Sequence, residues 1–141
     1  MGIGDVTLLL DTHVLVWFAE GDESLPASSV ETIDKLRDEQ GLAVSTISFW
    51  EVAMLQSRQR VSLSAPVRQW RNLVLDASGI TEAPLTGEVT IESVELPGAI
   101  HSDPADRMLI ATARLNGWTL ATRDDRILRY GKAGHVATIP V

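Results

Sequence analysis

Short apolar runs alternate along the chain with segments in which apolar residues recur every three to four positions. Residues 6–10 form an apolar run typical of a buried central strand, and shorter strand-like runs follow it. The predicted strands cover residues 6–10, 42–45, 80–85, 118–122 and 135–139. The predicted helices cover residues 12–20, 28–40, 46–58, 66–78, 87–94 and 104–116, with a helical turn at 125–130. This alternation predicts an α/β fold in a single domain (residues 1–141), with a central, mainly parallel sheet flanked by helices on both faces.

Composition limits the chemistry that such a domain can support. The 141 residues are 45% hydrophobic, which is enough to bury one core without a second domain. The chain has no cysteine, which excludes disulfides, thiolate metal sites and cysteine nucleophiles. No segment resembles a signal peptide or reaches membrane-spanning length, so we expect a cytoplasmic protein that has no membrane partner.

The net charge of −7 is distributed unevenly along the chain. Residues 1–57 contain ten acids and two bases, whereas residues 58–141 contain nine acids and ten bases. Ten of the twelve bases are arginine, whose planar guanidinium suits bidentate contacts with phosphate. The acidic total argues against broad nonspecific binding of nucleic acid, but it does not exclude a substrate that is bridged by a metal ion.

Four carboxylates stand beside segments that the predicted fold places near the core. Asp11 and Asp124 follow predicted strands, while Glu51 and Asp106 lie in early turns of predicted helices. Glu51 projects from a largely apolar helical stripe that offers it few partners. Ligands bind at the carboxyl ends of the strands in such sheets, so we expect the four acids to meet there. Converging carboxylates repel each other unless a cation neutralises them, and oxygen ligands without His or Cys favour Mg²⁺ or Mn²⁺.

Helix capping is a structural alternative for several of the acids. An acid at the start of a helix stabilises the N-terminal backbone N–H groups and the helix dipole. For Asp11, Asp106 and Asp124, helix capping and metal binding are equally favoured. For Asp103 and Asp125, helix capping is the favoured role. Three histidines lack the mutual spacing of a zinc site and are interpreted as structural or surface residues: His13, His101 and His135.

The segments around the four acids also resemble a known family, the PIN-domain ribonucleases, and within it the VapC-type toxins of bacterial toxin–antitoxin pairs. The resemblance runs nearly from end to end, with four motifs in the order and spacing of the family. The matching segments are LDTHVLVW (residues 10–17), STISFWEVA (45–53), DPADRMLIA (103–111) and LATRD (120–124).

The resemblance implies a Mg²⁺-dependent endoribonuclease, with Mn²⁺ as a substitute cofactor, that hydrolyses RNA with a metal-activated water. It also implies a small cognate antitoxin and a homodimer. The metal-binding and catalytic residues that it implies are Asp11, Glu51, Asp106 and Asp124, supported by Asp103 and Thr122. Four arginines are predicted phosphate contacts for the substrate: Arg58, Arg60, Arg107 and Arg123.

Two other classes of protein remain as alternatives. A phosphotransfer domain that uses Asp and Mg²⁺ is disfavoured, because such a phosphatase needs an acid where this chain has His13. The receiver version needs a lysine at a late strand end, whereas Lys132 falls in a predicted turn at 130–134. A catalytically inactive binding module with the PIN fold is the other alternative, and a cleavage assay distinguishes it from the enzyme.

Overall fold

The fold alternates strands and helices in a computed structural model that describes residues 7–39, 41–77 and 79–141. The strands are β1 (Leu8–Leu10), β2 (Leu42–Ser45), β3 (Ile80–Ala83), β4 (Thr119–Thr122) and β5 (Ala137–Pro140). The helices are α1 (Thr12–Glu20), α2 (Ala27–Asp38), α3 (Thr46–Ser57), α4 (Val67–Asp76), α5 (Gly87–Glu95), α6 (Pro104–Asn116) and α7 (Asp125–Lys132). Each predicted element is present, and the α/β class with helices on both faces of the sheet is confirmed.

The differences from the predicted elements lie at their ends. The predicted helical turn at 125–130 is a helix that continues to Lys132, so the turn predicted around this lysine is wrong. The helix extends because Ile127 and Tyr130 recur on one face and are both buried. The third strand ends at Ala83 rather than 85, and the last strand covers residues 137–140 rather than 135–139. The predictions for residues 1–6, 40 and 78 lie outside the described residues.

The five strands form one sheet in the order β3-β2-β1-β4-β5. Every pairing is parallel, with Leu10 opposite Ala121 and Ser45 opposite Ala83. The chain moves outward from β1 through β2 and β3 on one side, and through β4 and β5 on the other. The strand order therefore reverses between β1 and β4, and the carboxyl ends of these two strands border the crevice where such sheets bind ligands.

The two faces of the sheet bury different clusters of apolar side chains. Leu8 and Leu10 point to a cluster with helices α1 to α4, in which Trp70 is the largest fully buried residue. Leu9 points to the opposite face, where it packs with residues of α6 and α7 such as Leu109. Alternation of side chains along a strand produces this division, so β1 is packed on both of its faces.

No helix in the described ranges is long and apolar enough to cross a membrane.

Candidate active site

A pocket of about 380 Å³ lies at the carboxyl edge of the sheet, beside the ends of β1 and β4. The four acids singled out in the sequence all line it, although they come from four distant parts of the chain. The lining residues are Asp11, His13, Val14, Trp17, Glu51, Asp103, Asp106, Arg123, Asp124 and Arg126. The parallel topology therefore brings these carboxylates together, as the sequence predicted. We refer to this cavity as the acidic pocket.

Thr122, the last residue of β4, links two of the acids. Its buried hydroxyl donates a hydrogen bond of 2.6 Å to Oδ2 of Asp11 and accepts one of 3.0 Å from the backbone N–H of Asp124. Asp11 occupies the position before α1, but its side chain makes no capping hydrogen bond. The carboxylate is instead held by the neighbouring strand. Burial raises the pKa of Asp11, while the hydrogen bond from Thr122 acts in the opposite direction.

Glu51 approaches the pocket from the second turn of α3. This helix starts directly after β2, where the Ser45 side chain accepts a hydrogen bond of 3.0 Å from the Ile47 backbone N–H. Oε1 of Glu51 is buried and has no hydrogen-bond partner among the described residues. Burial raises the pKa of the Glu51 carboxyl, the nearby Thr12 hydroxyl acts in the opposite direction, and the charges of Asp11 and Asp103 raise the pKa further. A proton, a cation or a water molecule in the pocket can satisfy an oxygen of this kind, and the neighbouring carboxylates favour the first two.

Asp106 lies in the first turn of α6 and is almost fully buried. The helix begins at Pro104, and Oδ1 of Asp103 accepts a hydrogen bond of 3.0 Å from the Ala105 backbone N–H, which confirms the predicted cap. Burial raises the pKa of Asp106 to about 6. Its Oδ2 lies 2.7 Å from Nε2 of His101, a close contact that the sequence interpretation of this histidine missed.

His101, Asp103 and Asp106 form the tightest group of ligand atoms at the pocket. One ligand atom from each residue lies within 4.8 Å of the others. The remaining acids border the same pocket but stand outside this group within the described ranges. The sequence did contain one indication of this group, because His101 precedes Asp103 by two residues and Asp106 by five. A search for mutual spacing among histidines alone could not detect it.

Asp124 lines the same pocket in a different environment. Its Oδ1 accepts hydrogen bonds from the backbone N–H groups of Arg126 and Ile127, at 2.8 and 3.4 Å. The Arg126 guanidinium lies 3.0 Å from Oδ2, and this hydrogen bond lowers the pKa of Asp124. The N-cap of α7 is therefore Asp124, and the prediction that Asp125 has this role is wrong, because Asp125 is the first helical residue.

The four predicted phosphate contacts have different surroundings. Arg123 lines the acidic pocket, and its guanidinium stacks over the Trp17 ring at 4.9 Å. Arg107 donates instead to backbone carbonyl oxygens, among them that of Ser93 at 2.8 Å. Arg58 and Arg60 follow α3 and do not line the pocket. Among the described residues, Arg126 is the second arginine at the pocket, although the sequence interpretation did not select it.

The donor atoms of the acidic pocket suit a hard divalent cation. Carboxylate oxygens predominate, and one of them, Oε1 of Glu51, is buried without a partner in the part of the chain that is described. Mg²⁺ and Mn²⁺ favour oxygen ligands and commonly retain water in part of their coordination sphere. Asp11, Glu51 and Asp106 carry raised pKa values because their charges are desolvated, so a cation would relieve an unfavourable interaction at each of them.

Comparisons with known proteins agree with this arrangement. The family model of the PIN domain matches residues 8–133. Over 121 residues the chain is 36% identical to ribonuclease VapC22 of Mycobacterium tuberculosis, an alignment that covers 86% of this chain and 89% of that protein.

Two solved structures share the fold. VapBC2 from Rickettsia felis, bound to a DNA fragment from its promoter, has a TM-score of 0.67 at 18% identity and covers 96% of this chain and 98% of its own. FitAcB from Neisseria gonorrhoeae has a TM-score of 0.64 at 21% identity and covers 94% and 96%. The chain belongs to the PIN domain family, and its similarity to ribonuclease VapC22 places it in the VapC group of that family.

Proposed function

We propose that this chain is a metal-dependent endoribonuclease and the toxin of a toxin–antitoxin pair. One observation carries the proposal: four acids from distant segments line one pocket, and a buried oxygen of Glu51 lacks a partner among the described residues. A cation or a proton stabilises such an oxygen beside other carboxylates. The 36% identity to ribonuclease VapC22 supports RNA as the substrate.

In the proposed reaction, water adds to the phosphorus of an RNA phosphodiester and the bond to the leaving ribose oxygen breaks. Mg²⁺, or Mn²⁺ as a substitute, would supply Lewis-acid activation of the phosphate and of the attacking water when bound. The residues that would hold the cation are Asp11, Glu51, Asp106 and Asp124. Their orientation depends on supporting residues, because a carboxylate that is fixed before the substrate arrives needs no reorganisation during the reaction.

The supporting residues act through the contacts described above. Thr122 holds Asp11 and the backbone of Asp124 through one hydroxyl. Asp103 fixes the first turn of α6, which carries Asp106. Arg123 is retained as a phosphate contact at the pocket wall. The predictions for Arg58, Arg60 and Arg107 apply only to RNA that extends beyond the acidic pocket.

A cleavage assay with paired variants tests the enzyme assignment. Wild-type protein in Mg²⁺ should fragment RNA, whereas chelator or Asp11→Asn should abolish fragmentation. Asp125→Asn is a matched control, because it removes a neighbouring exposed carboxylate that does not line the pocket. Equal cleavage by wild type and Asp11→Asn would exclude the proposed site. No cleavage by a folded, metal-loaded wild type would favour the inactive binding module.

We further propose a small antitoxin as partner and a homodimer as the assembled state. Solved structures with the same fold include toxin–antitoxin complexes, and the Trp50 side chain on α3 is 51% exposed, so a partner can cover it. Expression of the chain alone should arrest growth, and co-expression of the adjacent small gene should restore it. Equal growth with and without that gene, from a folded product, would contradict the toxin role. Light scattering of the purified chain tests the dimer.

A further inference from the structure

A second groove, of about 500 Å³, adjoins the acidic pocket and carries the opposite charge. It lies between α7 and the loop at residues 98–101. The described residues that line it include two arginines and two histidines, and none of them is acidic. These residues are Gly98, Ala99, Ile100, His101, Arg126, Arg129, Tyr130, Ala133 and His135. We call this surface the basic groove.

The two cavities meet at shared residues. Arg126 lines both the acidic pocket and the basic groove. His101 lines the basic groove while its Nε2 lies 2.7 Å from Oδ2 of Asp106 in the acidic pocket. The two cavities are therefore neighbours that share the Arg126 side chain.

The positive charge of the groove comes from one face of α7. Arg126, Arg129, Tyr130 and Ala133 are spaced three, four and seven residues apart, so they share a side of the helix. Arg126 is paired with Asp124, which neutralises part of its charge. Arg129 is exposed, and no carboxylate in the described part of the chain lies within ion-pairing distance of it. Arg129 therefore contributes a charge that is available to a ligand.

Packing contacts hold the groove open in this shape. The Tyr130 hydroxyl donates a hydrogen bond to the backbone carbonyl of Pro97, which ties the loop to α7. The His135 ring packs on Tyr130 with 4.6 Å between ring centroids. Gly98 adopts φ +72°, and a Cβ at this position would lie 2.6 Å from Nε2 of His135. The loop thus approaches the ring as closely as only glycine allows.

We propose that the basic groove binds the backbone phosphates of the RNA strand that flanks the scissile bond. This inference rests on the proposed ribonuclease function and extends it to a named substrate surface. Guanidinium groups bind phosphate oxygens strongly, and an acidic pocket by itself repels a polyanion. In a chain with a net charge of −7, a basic surface beside the acidic pocket supplies the attraction that positions the substrate.

Binding measured without metal separates this surface from catalysis. A short fluorescein-labelled oligouridylate is titrated with full-length protein in chelator, and fluorescence anisotropy reports the dissociation constant. Arg129→Glu should weaken binding by roughly tenfold and should make its salt dependence shallower, because a phosphate contact is lost. Arg129→Gln should weaken it less, and this variant keeps the test valid if charge reversal at the end of α7 impairs folding.

Arg68→Glu is the matched control. It makes the same charge change on an exposed residue of α4 that lines neither cavity, so RNA binding should stay within about twofold of wild type. Equal weakening by Arg129→Glu and Arg68→Glu would overturn the groove and indicate a general charge effect. Unchanged RNA affinity in both Arg129 variants would also overturn the basic groove as an RNA surface. This holds even if those variants no longer bind the antitoxin.

Failure of the basic groove and failure of the proposed nuclease function give different experimental results. Cleavage by wild type in Mg²⁺ together with unaltered binding by Arg129→Glu would contradict only the basic groove. Groove-dependent binding without cleavage by the metal-loaded wild type would contradict only the nuclease. Absence of any RNA binding by wild type in chelator, at low salt, would overturn the groove whatever the cleavage assay gives.

Discussion

The acidic pocket holds carboxylates in opposite electrostatic situations, and we call Glu51 and Asp106 its desolvated side and Asp124 its compensated side. Glu51 and Asp106 are desolvated and their pKa values are raised. Asp124 accepts hydrogen bonds from Arg126 and from the start of α7, and its pKa is lowered. A negative charge is therefore costly on the first side and already compensated on the second. Under the proposed function, a cation would therefore compensate mainly Glu51, Asp106 and Asp11, while Asp124 also serves as the N-cap of α7.

The largest expected effect separates catalysis from folding at Glu51. Glu51→Gln retains the size of the side chain and removes a charge that is unfavourable in the metal-free protein. RNA cleavage should fall by at least about 100-fold, because a ligand of the activating cation is lost. The free energy of unfolding without metal should equal that of wild type or exceed it.

Initial cleavage rates and chemical denaturation in chelator measure these two quantities. If Glu51 instead had a structural ion-pair partner, removing its charge would strand that partner and cost roughly 3–5 kcal/mol. A clearly destabilised metal-free variant, or one with full cleavage activity, would contradict the role assigned to Glu51.

The second expected effect is stabilisation of the native state by Mg²⁺. A ligand that binds only the folded chain raises the free energy of unfolding, by about 2.7 kcal/mol at a concentration of 100 times its dissociation constant. Thermal unfolding of wild type should therefore shift upward between chelator and saturating Mg²⁺. Asp106→Asn should lose most of the shift, and Asp125→Asn should keep it. Identical shifts in wild type and Asp106→Asn would place the cation elsewhere.

The sequence predicted well that the four acids converge where strands dictate position. Asp11 follows β1 directly and Asp124 follows β4 by two residues, so the parallel sheet determines where both backbones lie. Glu51 and Asp106 were predictable because α3 and α6 begin at the same edge. The periodicity of apolar residues in a short window is sufficient to predict such helices and strands, because it reflects burial of one face of the element.

Contacts from irregular segments could not be predicted in this way. His101 reaches Asp106 from the loop before α6, where no hydrophobic period constrains the path of the chain. The choice between two adjacent acids as the cap of α7 depends on backbone angles that either residue can adopt. Arg107 donates hydrogen bonds to backbone carbonyl oxygens near the end of α5. The sequence does not reveal where those carbonyl oxygens point.

The third prediction uses pH to test the desolvated side of the pocket. Asp106 has a pKa of about 6 in the folded chain against 3.8 for the free side chain, so the native state binds more protons between these values. The free energy of unfolding of the metal-free protein should fall as pH rises from about 4 to about 6, by about 1–3 kcal/mol from this residue. The difference between wild type and Asp106→Asn across this range isolates the contribution.

Other acids change the absolute curve, and for Asp124 the dependence has the opposite sign because its pKa is lowered. Denaturant titrations at several pH values in chelator provide the comparison. A constant difference between wild type and Asp106→Asn from pH 4 to 7 would contradict the raised pKa of this carboxyl.

The smallest expected effect tests the compensated side of the pocket. Asp124→Ala removes the N-cap of α7 and should lower the free energy of unfolding in chelator by about 1–2 kcal/mol. Asp124→Asn keeps a capping oxygen and loses only the ion pair with Arg126, whose side chain is 54% exposed, so its cost should stay below about 1 kcal/mol. Asp125→Ala is the control. Because Asp125 is exposed and is not the cap, the substitution should change the free energy of unfolding by less than about 0.5 kcal/mol.

Asp106→Asn, on the desolvated side, should not destabilise the metal-free chain. If Asp124→Ala were as harmless as Asp125→Ala, or if Asp106→Asn were the more damaging change, the two sides of the pocket would not differ as their hydrogen bonds indicate.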